Sequence, residues 1–415
     1  TQKALATNDA AMFVYGVSAV LIGPTLPGMI ADLDLTLGAA GLIGSLQSLG
    51  GLIGALAALF IADRVSRPIA TIVLFTLSGA SLVGIGLSAG YGLLLFAFAV
   101  SGLWTRLFDV MVNAHTGTLV RADSGRGMST LHMFFSVGAF VGPIAARALM
   151  RGGLSWSHVF VIAGGCSIAT VVVSLPWLRS YVRTGSGPRA SRPVPAAGAA
   201  AGAAAGAATA ENAAQTPHGD GARLAGAPPP HRDGARTAIA LLSGALFFYA
   251  IHQIGVTAWL PYYLEMSRGI DPDVASLGLS LYWIGIIGGR FGASRCARRL
   301  GARRLLTAGA LVSAAATFAS ITTASPVAAL AFAAVAGVAS GATIPLAYSV
   351  AFAYRPERTG AVTAVMSIVM LAGRFVGPWA MGVAADATTI AGAMVIPAAV
   401  LIVVAALTAW PIRSA

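Results

Sequence analysis

The chain has 415 residues, of which 57% are hydrophobic and 10% charged, with a mean hydropathy of +0.81 and a formal net charge of +12. Soluble domains carry about 25% charged residues, so this composition excludes a soluble globular protein and indicates an integral membrane protein. The two cysteines show neither disulfide nor metal-type spacing. We expect no metal and no cofactor.

Twelve apolar runs of roughly 20 residues follow one another along the chain, each long enough to cross a hydrocarbon core of about 30 Å. We number them as spans 1 to 12, near residues 10–30, 38–61, 69–88, 91–120, 126–150, 156–178, 237–264, 273–296, 303–322, 326–352, 358–383 and 390–411. Span 1 is too long for a cleavable signal sequence and lacks a small-residue cleavage site, so we expect it to remain in the protein.

Basic residues predict how the chain is oriented. Of the 26 Lys and Arg, 20 fall at one end of the spans, three at the other end and three inside spans. Because Lys and Arg are enriched on the cytoplasmic side of membrane proteins, both termini are predicted to be cytoplasmic. The positive charge then follows from topology, with membrane lipid as the surroundings and no nucleic-acid partner. Lysine occurs once against 25 arginines, a GC-rich coding bias that indicates a bacterial inner (plasma) membrane.

A segment rich in Ala, Gly, Pro and Arg separates spans 6 and 7. Residues 179–236 contain almost no large apolar side chains that would offset the entropy cost of ordering. They are predicted to be a disordered cytoplasmic linker between an N-terminal six-helix bundle, residues 1–178, and a C-terminal six-helix bundle, residues 237–415.

The two halves of the chain share an internal repeat. Phe-Val-Gly-Pro occurs at 140–143 in span 5 and at 375–378 in span 11, an offset of 235 residues. Spans 2 and 8 align at an offset of 234, which pairs residues 51–54 with 285–288. Two repeated bundles are a transporter plan in which the substrate binds between them near the membrane midplane. Coincidence among glycine-rich helices is the alternative explanation.

Several motifs carry a family resemblance. The loop after span 2 reads ADRVSR, span 4 contains FDVMVN, span 5 contains LHMFFSVGAFVGP, and spans 7 and 8 contain WLPYYL and LYWIGIIGGR. The chain thereby resembles the major facilitator superfamily outside the linker, and within it the fucose-permease and sodium-dependent glucose transporter group. The resemblance implies an all-α membrane protein with twelve transmembrane helices in two bundles related by a pseudo-two-fold axis. Relatives often carry a glutamate at the position of Gln253, so coupling is expected to differ here.

Span 4 carries an unusual set of polar residues. Arg106, Asp109 and Asn113 are three and four positions apart, which puts them on one helical face. Since a charge in hydrocarbon costs at least about 2.5–3.5 kcal/mol, that face is expected to point toward the cavity. Asp109 is either a proton or cation site or a permanent structural partner of Arg106. Arg106 and Asn113 are candidate substrate contacts.

The remaining candidates lie on spans 5, 7, 8 and 11. Arg374 corresponds to Ala139 in the repeat, and its guanidinium offers five donors to an anionic or hydroxyl-rich ligand; a structural ion pair is the alternative. His132 is a second candidate for coupling, with a hydrogen-bonded core histidine as the alternative. Further candidate substrate contacts are Tyr249, His252, Gln253 and Trp283, and a hydrogen-bonded core histidine is the alternative for His252 as well. A cytoplasmic gate motif is assigned to Asp63, Arg64, Arg67 and Arg290.

Together these features predict a secondary active transporter that works as a monomer and performs no chemistry on its substrate. The leading hypothesis is uptake of a small polar solute, a sugar or related metabolite, coupled to a cation, with the proton favoured over sodium. Proton-coupled efflux of a drug or metabolite is the alternative. A receptor that transports nothing is a third hypothesis.

Overall fold

The computed structural model describes residues 2–62, 64–120, 124–183 and 232–410. All regular structure in these ranges is helical. This is expected in lipid, where every backbone N–H and C=O group needs a partner within the chain. Asp63 and residues 184–231 of the predicted linker lie outside the described residues.

The N-terminal bundle contains spans 1 to 6. Span 1 is a bent pair of helices, Gln2–Ala19 and Ile22–Leu33, which meet at 43°. Spans 2 to 6 are the helices Leu37–Ile61, Arg67–Gly86, Tyr91–Leu119, Ser124–Arg151 and Trp156–Arg183. Span 6 thus continues into the residues that were predicted to be linker.

The C-terminal bundle contains spans 7 to 12. Span 7 is Arg232–Tyr262 with a π-helical turn at Tyr263–Ser267, and spans 8 and 9 are Pro272–Leu300 and Ala302–Thr322. Span 10 is divided into Pro326–Ser340 and Thr343–Tyr354, span 11 is Thr359–Ala387 after a short 3-10 turn at Pro356–Arg358, and span 12 is Ile390–Ala393 followed by Ile396–Ala409. Eleven helical stretches and the bent span 1 are long and apolar enough to cross a membrane, which confirms the predicted succession of spans.

Helix packing repeats between the two bundles. Spans 2 and 4, 1 and 5, and 3 and 6 pack against one another in the first bundle, and spans 8 and 10, 7 and 11, and 9 and 12 do so in the second. Adding six to both span numbers of a pair in the first bundle gives the corresponding pair in the second bundle. The repeat seen in the sequence is therefore a repeat of three-dimensional packing.

Close approaches at glycine correct the predicted register of spans 2 and 8. A Cβ atom on Gly50 would overlap the carbonyl oxygen of Ala99 in span 4, and one on Gly285 would overlap that of Ala334 in span 10. Both pairs are related by 235 residues, so Gly50 and not Gly51 is the equivalent of Gly285. The predicted offset of 234 was wrong by one residue, because the strings GGLIG and GIIGG match in either register.

The bundles meet through spans 2 and 11 and through spans 5 and 8. An even number of spans brings the termini and the linker to one end of the molecule, which we call the linker end; the opposite end is the far end. At the far end, the Asp386 carboxylate in the last turn of span 11 accepts hydrogen bonds from the backbone N–H groups of Leu37 and Gly38, at 2.8 and 2.7 Å. The N-terminus of a helix favours a negative charge, so Asp386 joins the two bundles there.

A second junction closes the far end on the other side of the molecule. Asp273, at the start of span 8, accepts hydrogen bonds from Arg147 and Arg151 of span 5, each at 3.2 Å. At the linker end, in contrast, the second half of span 10 packs against spans 7, 9 and 11 of its own bundle. The far end is therefore sealed by contacts between the bundles.

Candidate substrate cavity

A central cavity lies between the two bundles. It comprises about 840 Å³ of space between the bundles, a figure that includes open solvent. Its walls are formed by spans 1, 4 and 5 of the first bundle and by spans 7, 8, 10 and 11 of the second. We call these the N wall and the C wall.

The N wall carries the polar set predicted from span 4. Arg106 donates to Oδ2 of Asp109 at 2.8 Å, while Asn113 donates to Oδ1 at 3.0 Å and to the Asp109 backbone carbonyl at 2.7 Å. Arg106 and Asp109 line the cavity, and Asn113 supports the carboxylate from one turn further along. Asp109 is only 4% exposed. Because all three residues lie on one helix, the carboxylate keeps these contacts whatever the position of the other bundle.

The C wall carries a guanidinium beside a neutral side chain. Arg374 of span 11 donates to Oε1 of Gln253 of span 7 at 3.4 Å, which is longer than an ordinary hydrogen bond. The Gln253 amide nitrogen lies 3.4 Å from the hydroxyl of Tyr249, a buried residue one turn earlier. The structure thus brings Arg374 and Gln253 together in the cavity wall, with Tyr249 behind them.

His252 is placed in the core of the second bundle. Its Nδ1 lies 3.0 Å from the carbonyl oxygen of Pro397 in span 12, and its Nε2 lies 3.2 Å from the hydroxyl of Tyr282 in span 8. A carbonyl only accepts, so Nδ1 carries the proton and Nε2 accepts from the tyrosine. His252 is fully buried and ties three spans together. In the structure it fits the alternative of a hydrogen-bonded core histidine.

Two buried groups on the cavity walls have no hydrogen-bond partner among the described residues. They are both ring nitrogens of His132 in span 5 and the indole Nε1 of Trp283 in span 8. His132 is 5% exposed. Polar atoms that are buried without a partner cost about 1–3 kcal/mol each, so they are candidates to meet a ligand.

The residues assigned to the gate motif lie in two places. Arg290 of span 8 lines the cavity, where its Nε lies 3.4 Å from the carbonyl oxygen of Gly341 in span 10. Arg64 is exposed in the connection after span 2, and Arg67 begins span 3. Asp63 lies outside the described residues.

Some wall residues were not predicted from the sequence. Met12 of span 1 and Thr257 of span 7 line the cavity. Thr257 follows Gln253 by four residues and donates to its carbonyl at 2.8 Å, so the shared helical face was a usable signal. For Met12 the sequence offers no such signal, because an apolar wall residue has the same pattern as a core residue.

Comparison with known proteins gives a match to a family. The model of the Major Facilitator Superfamily matches residues 10–291 and 241–414. A human protein, synaptic vesicle glycoprotein 2C, is 26% identical over 184 residues, which cover 40% of this chain. The matched region spans 25% of the length of that relative.

Solved structures share the fold over nearly the whole chain. A bacterial homologue of the human lysosomal transporter Spinster, in an inward-facing and unoccupied conformation, superposes with a TM-score of 0.72 at 17% identity, covering 98% of this chain and 95% of that chain. The E. coli fucose:proton symporter superposes with a TM-score of 0.57 at 18% identity, covering 97% of both chains. At these identities the likeness concerns the fold.

Proposed function

We propose that this chain, which belongs to the major facilitator superfamily, takes up a small polar solute, a sugar or related metabolite, driven by a proton gradient. It is a transporter and not an enzyme. The observation that carries the proposal is the cavity between the repeated bundles, whose walls combine a buried carboxylate with buried polar groups that lack partners among the described residues.

Alternating access follows from the two far-end junctions. We take the linker end as cytoplasmic, on the inner membrane of a bacterium, in line with the distribution of basic residues. In that orientation the joined far end faces outward, and the cavity is proposed to open to the cytoplasm. Rupture of the contacts at Asp386 and Asp273 would let the bundles rock about their two-fold axis and open the cavity outward.

Proton coupling is assigned to Asp109. A proton on Asp109 removes the negative charge opposite Arg106 and turns one acceptor oxygen into a donor. Arg106 then attracts the substrate more strongly, so protonation and substrate binding favour each other. His132, on the same wall, is the second proton site in this proposal. Arg106, Gln253, Arg374 and Trp283 are the proposed substrate contacts, with Asn113 holding Asp109 in position.

Transport by the purified chain in liposomes tests the function. A panel of labelled sugars and sugar acids is offered with an acid exterior, with a sodium gradient, or with neither. We expect at least one compound to accumulate only with the proton gradient and to leak out after addition of a protonophore. Accumulation in everted rather than right-side-out membrane vesicles would establish efflux instead. Absence of flux for every compound would contradict transport of a polar solute.

A further inference from the structure

We infer that the substrate is an organic anion whose carboxylate binds to Arg374 in the C wall, an inference that rests on the proposed transport function. The first support is the charge of the cavity. Arg106 lies against the Asp109 carboxylate at 2.8 Å, whereas Arg374 lies beside the neutral amide of Gln253. Charge within a membrane protein is costly unless it is balanced, and an anionic substrate beside Arg374 supplies that balance.

Asp109 is close enough to attract Arg374 but forms no hydrogen bond with it in the part of the chain that the structure describes. Both Asp109 oxygens are engaged on span 4, one by Arg106 and the other by Asn113. Arg374 instead donates to Gln253, which carries no charge. A planar guanidinium is suited to bind a carboxylate through two parallel hydrogen bonds. A substrate carboxylate at this position would satisfy Arg374 far better than the neutral amide does.

Hydrogen-bonding polarity points the same way. The indole of Trp283 is a donor only, and its Nε1 has no partner among the described residues. His132, on the opposite wall, offers one ring nitrogen as a donor and the other as an acceptor, both without a partner there. Trp283 and Arg374 therefore give the C wall an excess of donors. A carboxylate fits that excess, because both of its oxygens accept and neither donates.

Aromatic and apolar walls define the rest of the ligand. Tyr15 and Met370 line the cavity, and Phe135 contacts Trp283 edge to face with ring centroids 6.3 Å apart. These aromatic and apolar side chains offer a surface to a carbon body and none to a bare inorganic ion. The lining therefore favours an organic acid.

Matched pairs of compounds test this inference. Each pair differs by the replacement of a CH₂OH group with a carboxylate: glucose and glucuronate, galactose and galacturonate, 1,2-propanediol and lactate. Binding to the purified full chain is followed by thermal stabilisation and uptake by proteoliposomes. For at least one pair, the acid should bind roughly tenfold or more tightly than its neutral partner, as expected of charge-assisted bonds to a guanidinium.

A substitution at Gln253 sharpens the test. Gln253→Glu places a carboxylate beside Arg374 without loss of volume, so it should compete with the acid and weaken its binding by about tenfold or more. Because the introduced carboxylate pairs with Arg374, this variant should fold. Arg374→Gln is the second variant, and it should weaken binding of the acid to the same extent. Ala324→Glu, in the exposed connection between spans 9 and 10, controls for the added negative charge and should keep the native preference.

The outcomes separate the two proposals. Preference for the acid that disappears in Gln253→Glu supports the anion inference. If the neutral compounds bind as tightly as the acids or more tightly, the inference is overturned and solute transport stands. The same holds if Gln253→Glu and Arg374→Gln both bind the acid with native affinity. If no compound binds or crosses the membrane, both the inference and the proposed function are overturned.

Discussion

The two walls of the cavity share a backbone plan but differ in chemistry. At the offset of 235 residues, Arg106 and Asp109 of the N wall correspond to Gly341 and Ile344, and Arg374 of the C wall corresponds to Ala139. The N wall holds an ion pair within one helix, with its arginine and carboxylate 2.8 Å apart. The C wall holds an arginine beside a neutral glutamine. Duplication preserved the packing while the polar side chains diverged.

This difference suggests a division of labour under the proposed function. A carboxylate gains and loses a proton, so the charge of the N wall is adjustable. A guanidinium keeps its charge at any physiological pH, so the C wall is a fixed anchor. Coupling and recognition are then assigned to opposite bundles, which approach the same substrate.

The largest expected effect breaks the N wall. Asp109→Asn mimics the protonated carboxylate, so the variant should bind and exchange substrate across the membrane yet lose accumulation against a gradient. Both activities are measured in proteoliposomes, one as exchange of substrate across the membrane and the other as accumulation against a gradient. Removing one member of a buried pair costs about 3–5 kcal/mol when the other charge is left alone, so Asp109→Asn with Arg106→Gln is the control for stability. Normal accumulation by the single variant would make Asp109 a structural partner.

The shared backbone plan predicts equal sensitivity in the two bundles. Gly50→Ala and Gly285→Ala force a Cβ atom onto a carbonyl oxygen of the neighbouring span, and each should lower the free energy of unfolding by about 1–3 kcal/mol. Other glycines of the same two spans are controls: a Cβ on Gly51 meets only an atom 3.8 Å away, and one on Gly288 meets nothing within 4 Å. Thermal unfolding of the four alanine variants tests both the comparison and the corrected register. Equal melting temperatures for the two variants of either span would contradict it.

A smaller effect is expected in the C wall. Arg374→Lys keeps the charge but loses the planar fork, so substrate affinity should fall by about tenfold while the protein remains folded. Arg106→Lys is the counterpart in the N wall, where the lysine still meets Asp109. Binding isotherms of both variants compare the walls directly. Unchanged affinity in Arg374→Lys would remove Arg374 from the binding site, and a collapse in folding would favour a structural ion pair.

The smallest effects concern the far-end junctions, which also occupy repeat positions. Asp386 corresponds to Arg151, and Asp273 corresponds to Gly38. At equivalent positions of the repeat, one junction therefore has a carboxylate facing backbone N–H groups, and the other has an arginine facing a carboxylate. Asp386→Asn weakens the interaction with the N-terminus of span 2 by about 0.3–1 kcal/mol. The population with an open far end should therefore rise by a few-fold, as read from distances between spin labels on the two bundles. Asp273→Asn should act similarly, and an unaltered distance distribution in both would show that these contacts do not hold the far end closed.

Much of the fold was readable from the sequence because lipid imposes strong rules on it. Span length and the internal repeat predicted the succession of helices, and the spacing of Arg106, Asp109 and Asn113 predicted their shared face. The contact of Asp386 with Leu37 was not readable, since it joins residues 349 positions apart. His252 and Gln253 are neighbours in sequence, but His252 lies in the core of the second bundle and Gln253 lines the cavity. On an apolar helix, the sequence pattern does not predict which of the two faces the cavity. Trp283 was predicted as a substrate contact. That its Nε1 has no hydrogen-bond partner among the described residues is visible only in the structure.

Proton uptake on substrate binding tests the division of labour most directly. Calorimetric titration of the native chain, with the acid it binds most tightly, in buffers of different ionisation enthalpy gives the number of protons bound with the substrate. We predict measurable proton uptake by the native chain near neutral pH, none by Asp109→Asn, and unchanged uptake per bound substrate in Arg374→Lys despite its weaker binding. Equal proton uptake by the native chain and Asp109→Asn would contradict the account and direct attention to His132.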